Sequence, residues 1–179
     1  ELLVALAIMS AAFAIIWSTF SVTVRAWTRG SELLDNLHRG DFVMEELVIG
    51  LRSAAFFDSA PGKYGFRLKD HGSGIDSADT ISWVASGTAF LPPDSPLANG
   101  LHRLVVNIED NDEGKPAVTV RAFPHLAEVD EDSVLVDKWY ISTEVRGLNC
   151  EVYVEEDEDW KDEWEDTNSI PRLVHLTLF

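Results

Sequence analysis

Cations are scarce in this chain. It carries 14 lysines and arginines against 31 aspartates and glutamates, a formal charge of −17 at pH 7. Binding to nucleic acid needs clustered Lys and Arg to neutralise phosphates, so that balance excludes a nucleic-acid surface. Cysteine is rarer still. Cys150 stands alone, which excludes an internal disulfide framework and a Cys-based zinc site. Between Asn149 and Glu151, in a strand pattern, it reads as an inert thiol. No proline occurs before Pro61, so nothing in the first third forces a helix to break. The most telling absence is charge at the amino-terminal side. Residues Leu2 to Val24 hold none, and Glu1 leads directly into them.

Catalytic patterns are also missing. The five histidines His38, His71, His102, His125 and His175 form no i,i+4 pair and no H-E-x-x-H. There is no G-x-S-x-G and no glycine loop that would cradle a phosphate. Asp70-His71-Gly72-Ser73 places three catalytic residue types side by side. Triad members normally come from distant segments, and the flanking Gly72 and Gly74 make this a loop. The expectation is that the chain is not an enzyme.

What is present begins with the uncharged run. A helix needs about 20 predominantly apolar residues to cross a bilayer, and Leu2–Val24 supplies them. Ala12-Phe13-Ala14 imitates a signal-peptide cleavage site, but it lies in mid-run with no basic residue ahead of it. A buried core helix seldom stays uncharged for so long. A plain single-span anchor leaves Glu1 without a role, although a carboxylate in or near hydrocarbon usually has a partner and a function.

Beyond Arg25 the helical pattern continues in another form. Leu33, Leu37, Met44, Leu47, Val48 and Leu51 recur at steps of three, four and seven, with Glu32, Asp35, Arg39, Asp41, Glu45 and Arg52 between them. That is an amphipathic helix with one apolar stripe. Gly30, Gly40 and Gly50 each weaken it by up to about 1 kcal/mol relative to Ala. Asp58-Ser59-Ala60-Pro61-Gly62 ends it with turn chemistry. The expected organisation is a membrane segment over 1–24, an amphipathic continuation over 25–56 and a β-rich domain over 57–179.

In that third part, apolar residues alternate or form short β-branched runs bounded by Gly, Pro, Asn and Asp. Strands are predicted at Tyr64–Leu68, Thr80–Ala85, His102–Ile108, Ala117–Phe123, Val134–Ser142, Asn149–Val154 and Leu173–Leu178, with a hairpin loop at Asp110–Gly114. No βαβ alternation and no repeat is visible. The fold class is α+β, with the amphipathic half of the helix packed on one face of an antiparallel sheet.

One acidic run is left as a site candidate. Glu155, Glu156, Asp157, Glu158, Asp159, Asp162, Glu163, Glu165 and Asp166 surround Trp160, Lys161 and Trp164. Calcium takes about six to eight oxygen ligands, and Asp157, Asp159, Asp162 and Glu163 are the candidate donors. The spacing does not match an EF-hand loop, and the default for such a block is a solvated, self-repelling loop. Trp160 and Trp164 could pin the loop to the sheet or offer contact area to a partner.

Glu1-Leu-Leu-Val-Ala-Leu-Ala-Ile resembles the amino-terminal signature of type IV pilins and type II secretion pseudopilins, a glutamate leading into a long uncharged helix. Leu101-His-Arg-Leu-Val-Val-Asn-Ile-Glu109, Leu148-Asn-Cys-Glu-Val-Tyr-Val154, and Trp160…Trp164…Ile170-Pro-Arg-Leu-Val-His-Leu-Thr-Leu178 resemble the J-type minor pseudopilins. Their late strand is followed by a tryptophan-bearing loop and a Leu-Pro-x-x-Val closing strand. Ile170 replaces the usual leucine, and the acidic run is heavier than in that pattern. In the family a methylated phenylalanine and a few residues precede the glutamate, so the resemblance implies a mature protein that begins ahead of Glu1.

The resemblance also implies a life cycle. Such subunits wait in the inner membrane by their apolar helix, with the β-rich domain in the periplasm, after maturation by a prepilin peptidase. They are then packed helix against helix into a filament, where Glu1 would pair with a neighbour's terminal amine. A J-type subunit is expected at the pseudopilus tip, in contact with other minor pseudopilins and the major one. A minor pilin of a type IV pilus and a membrane-anchored, calcium-dependent binding module are the alternatives. The positive-inside rule acting alone would place Arg25 and Arg29 in the cytoplasm, so the leader must outweigh them.

Overall fold

The computed structural model describes residues 2–58, 60–126, 138–164, 166 and 169–179. Glu1, the 134–137 part of the expected fifth strand, and Glu165 lie outside the described residues. The fold is α+β: one long helix with an apolar first part, and antiparallel sheets. Helix α1 is Leu2–Arg52. The contacts divide the chain into two compact units, Glu1–His38 and Arg39–Phe179.

The first unit is helix alone. Leu2–Ser31 is long and apolar enough to cross a membrane, and none of it is buried within the chain. Leu3, Phe13, Trp17 and Trp27 are exposed. Its hydroxyls are bonded back onto the helix: Ser10 donates to Leu6 O at 2.8 Å, Thr19 to Ile15 O at 2.9 Å, Thr23 to Thr19 O at 2.9 Å and Thr28 to Val24 O at 2.8 Å. Such bonds satisfy each hydroxyl's donor within the helix itself.

In the second unit the end of α1 is amphipathic. Val43 and Leu47 are fully buried and Gly50 is covered. Burying a side chain such as Leu47 contributes about 1.5–3 kcal/mol. The expected stripe therefore packs only in part: Leu33 and Leu37, both in the first unit, are exposed. Gly50 has a positive reason to be there. The indole Nε1 of Trp83 donates to Gly50 O at 2.9 Å, and a Cβ on residue 50 would fall 2.9 Å from Trp83 Cζ2. The helix stops at Arg52 rather than near 56 because the following residues pair with a strand. Ala54 bridges Ala85, and Ala55 N–H donates to Val84 O at 2.8 Å. Helix α2, Pro61–Tyr64, then occupies a place expected to be turn and strand, with proline at the first helical position, where its missing N–H costs nothing.

The strands are β1 Arg67–Lys69, β2 Thr80–Ser86, β3 Leu101–Asp110, β4 Pro116–Pro124, β5 Lys138–Ser142, β6 Leu148–Val154, β7 Asp159–Lys161 and β8 Val174–Leu178. They form two sheets rather than one. The larger is an antiparallel meander, β1-β2-β3-β4-β5, and the smaller has the order β7-β6-β8. Asn111 closes the β3–β4 hairpin, its Oδ1 accepting from the N–H of Glu113 and of Lys115. Leu68, Ile81, Trp83, Leu104, Val106, Val118 and Val120 of the large sheet meet Val43 and Leu47 of α1, and Leu148, Cys150 and Val152 of the small sheet complete the core.

Asp79 joins the sheets. It is fully buried, and its carboxylate accepts from His71 N–H at 3.0 Å, Ser77 Oγ at 3.2 Å and Cys150 N–H at 2.7 Å. Alongside, Asp79 N–H donates to Leu148 O, and Leu148 N–H to Ser77 O. Burial pushes the Asp79 carboxyl above its usual value despite those donors.

Candidate functional site

Two places hold the residues singled out by the sequence. The first is the amino-terminal helix. Behind Glu1, which is outside the described residues, Leu2, Leu3, Val4, Leu6 and Ile8 are all exposed. Arg25 donates to Ser21 Oγ at 3.2 Å. The helix presents apolar side chains outward, with its hydroxyls bonded back to its own carbonyls.

The second place is the small sheet and the acidic run that leaves it. Glu155 to Glu158 form the turn of a β-hairpin, with Glu158 in the left-handed region at φ 53°. The run then re-enters the sheet as β7, pairing Tyr153 with Trp160 and Val154 with Asp159. Part of the expected loop is thus strand. Asp157 pairs with Lys161, and Asp159 Oδ1 accepts from Trp160 N–H at 2.9 Å. Asp162 and Glu163 are exposed in the segment that follows. Among the described residues no three His, Cys, Asp or Glu side chains are gathered so as to hold a metal ion.

The two tryptophans of this run have different settings. Trp164 exchanges backbone hydrogen bonds with Leu68 of β1, at 3.1 and 3.2 Å, and its side chain packs against the core. It pins the run to the edge of the large sheet. Trp160 stays 42% exposed, its ring edge-on to Tyr153 at 5.5 Å and to His175 at 5.8 Å. His175 Nδ1 lies 2.8 Å from Glu151 Oε2. Beside the run is a cleft of ≈ 570 Å³ bounded by Tyr153, Glu155, Glu163, Trp164 and Arg172.

The remaining titratable groups have structural settings. Cys150 is fully buried, and burial, with Asp79 and Glu151 nearby, pushes its thiol well above the ordinary range. A thiol that stays protonated is a poor nucleophile. Asp70, His71 and Ser73 lie on a loop with Gly72 at φ 89° and Gly74 at φ 63°, and His71 Nδ1 donates to Lys69 O at 3.3 Å. On the large sheet, Glu109 takes hydrogen bonds from Arg121 at 2.6 and 2.8 Å, Asn107 at 2.9 Å and Lys138 at 3.2 Å. Burial raises its carboxyl, but those donors outweigh burial and leave it below its usual value.

Sequence reasoning passed over Asp79 and the cleft that opens beside β8. Nothing local marks an aspartate whose decisive donor is Cys150 N–H, on a strand of the other sheet. The cleft depends on strand order, which local patterning does not encode.

No family model, no curated protein and no solved structure matches this chain.

Proposed function

We propose that this chain is a structural subunit of a bacterial secretion filament, a minor pseudopilin of type II secretion that sits at the pseudopilus tip and helps initiate its assembly. The reading rests on one observation above the rest: an apolar helical surface, Leu2–Ser31, uncharged as far as Val24, with none of it buried in the chain. Glu1 ahead of that helix and the antiparallel β unit that follows it are consistent with the pilin-like plan. In this reading the chain is single-pass in the inner membrane, its β-rich unit is periplasmic, and it is not an enzyme.

The physical role of each part follows. Lipid holds the apolar helix until assembly, and neighbouring helices replace lipid afterwards. Such an exchange costs little, because hydrocarbon tails and apolar side chains are alike as surroundings. Glu1 would be satisfied by a neighbour's terminal amine. Left unpaired in an apolar surrounding, a carboxylate costs about 2.5–3.5 kcal/mol. The pair therefore fixes register more than it adds net stability.

Glu1→Ala tests the reading. Membrane insertion should be unchanged, whereas incorporation into filaments and secretion should fall sharply. Normal assembly and secretion in that variant would overturn the proposal.

A further inference from the structure

The small sheet ends in an open edge. β8 pairs with β6 on one side, and no described strand lies on its other side. The hydrogen-bonding parity of that pair is set at both ends. Phe179 and Gly147 exchange bonds at 3.0 and 3.3 Å, and Tyr153 N–H donates to Leu173 O at 3.1 Å. In an antiparallel ladder, bonded pairs alternate with non-bonded ones. The backbone groups of His175 and Thr177 therefore point at β6, and those of Val174, Leu176 and Leu178 point outward. The other strand agrees: Leu148 and Cys150, opposite Leu178 and Leu176, direct their N–H groups away from β8, to Ser77 O and to Asp79.

An apolar cleft of ≈ 550 Å³ adjoins this edge, bounded by Val174 and Leu176 of β8, Leu51 and Arg52 of α1, Tyr64 and Trp83. Exposed, unpaired edges are templates for another strand, and natural sheets usually block them. No proline, lysine or bulge blocks β8. An open edge beside an apolar cleft is the arrangement by which sheets take up an extended segment, with main-chain bonds giving affinity and alternate side chains entering the pocket.

We propose that β8 and its cleft bind an extended segment of a partner protein, added as a further strand beside β8. Alternate residues of that segment are apolar and fill the cleft. One carboxylate reaches Arg52, which has no partner among the described residues. A second copy of this chain is the poorer occupant, because each copy brings a charge of −17 and the two repel. This inference stands apart from the filament reading: it specifies a strand-addition surface on the second unit and makes no use of Glu1 or the apolar helix.

Amide hydrogen exchange on the full chain in detergent micelles tests it. The probes are capped ten-residue peptides alternating valine or leucine with threonine, and carrying one glutamate. In the free chain the amides of Val174, Leu176 and Leu178 should exchange faster than those of His175 and Thr177. At a peptide concentration ten times its Kd they should slow about tenfold. Leu176→Pro removes one outward donor and no bond to β6, so the peptide should bind at least about tenfold more weakly, measured below the melting temperature, which falls with the lost packing of Leu176 on the core. Arg52→Glu, on an exposed position, should weaken the glutamate-bearing peptides and favour their lysine counterparts even if the proline variant fails to fold. Slow exchange at those three amides in the free chain, or no slowing with any peptide, would overturn the proposal. Self-association that protects the same amides would reassign the edge to a second copy.

Discussion

The two units hold large apolar side chains in opposite ways. In Glu1–His38, Leu3 is 82% exposed and Trp17 72%. In Arg39–Phe179, Leu47 is fully buried and Trp83 only 1% exposed. Both sets include residues of one helix, so helical propensity cannot be the cause. What differs is the surface next to them. Val43 and Leu47 meet a sheet that takes them out of water, whereas none of Leu2–Ser31 is buried. A soluble protein rarely leaves a large contiguous apolar surface open. The first unit is long and apolar enough to cross a membrane, and the second carries its own interior.

The sharpest way to break the comparison is to empty the interior of the second unit. Trp83→Ala should cost about 3–5 kcal/mol, by the lost burial and the cavity left behind. The loss of the bond to Gly50 O adds to that. Urea unfolding followed by tryptophan fluorescence should show the midpoint falling while the helical signal of the first unit in micelles persists. A loss below about 1 kcal/mol would mean that Trp83 is not the centre of the core.

The next change acts on the other side. Ile16→Asp places a charge in the uncharged run Leu2–Val24 and should cost about 2.5–3.5 kcal/mol of membrane insertion. Alkaline extraction of membranes should release this variant and retain the parent. The melting of the second unit should move by no more than about 0.5 kcal/mol, since Ile16 is exposed and takes no part in that unit's core.

The smallest expected effect sharpens the account of the second unit alone. The Glu109 carboxyl sits below its usual value of 4.5 because of Asn107, Arg121 and Lys138. A group lowered in the folded state contributes stability above its unfolded value, and that contribution is lost as pH falls through the folded value. Glu109→Gln should therefore cost about 1 kcal/mol at pH 7. The penalty should fade below pH 4.5. A penalty independent of pH would mean that the charge of Glu109 contributes nothing.

Much of the fold was legible because the signals were local. An uncharged run of more than twenty residues admits few conformations, and alternating β-branched residues placed most of the strands within a few residues. Leu33 and Leu37 misled because periodicity says which residues share a face, not whether anything covers that face. The strand β7 was hidden because Asp159-Trp160-Lys161 has little strand character of its own. It forms through pairing with Tyr153, Val152 and Val154, a tertiary effect that overrides propensity. The division into two sheets and the open edge of β8 depend on strand order, which no short window of residues contains. Of the site residues, Trp160 and Trp164 were legible as a pair but not their separation into one exposed and one pinned ring.

The central claim is that the first unit is made to lie in hydrocarbon. A nitroxide attached at Phe13→Cys, in a Cys150→Ala background and in native-like lipid vesicles, tests it directly. Collisions with lipid-soluble oxygen should dominate over those with a water-soluble nickel complex, while a label at Leu126→Cys on the second unit should show the reverse. Dominant collisions with nickel at position 13, or shielding from both reagents, would contradict the account.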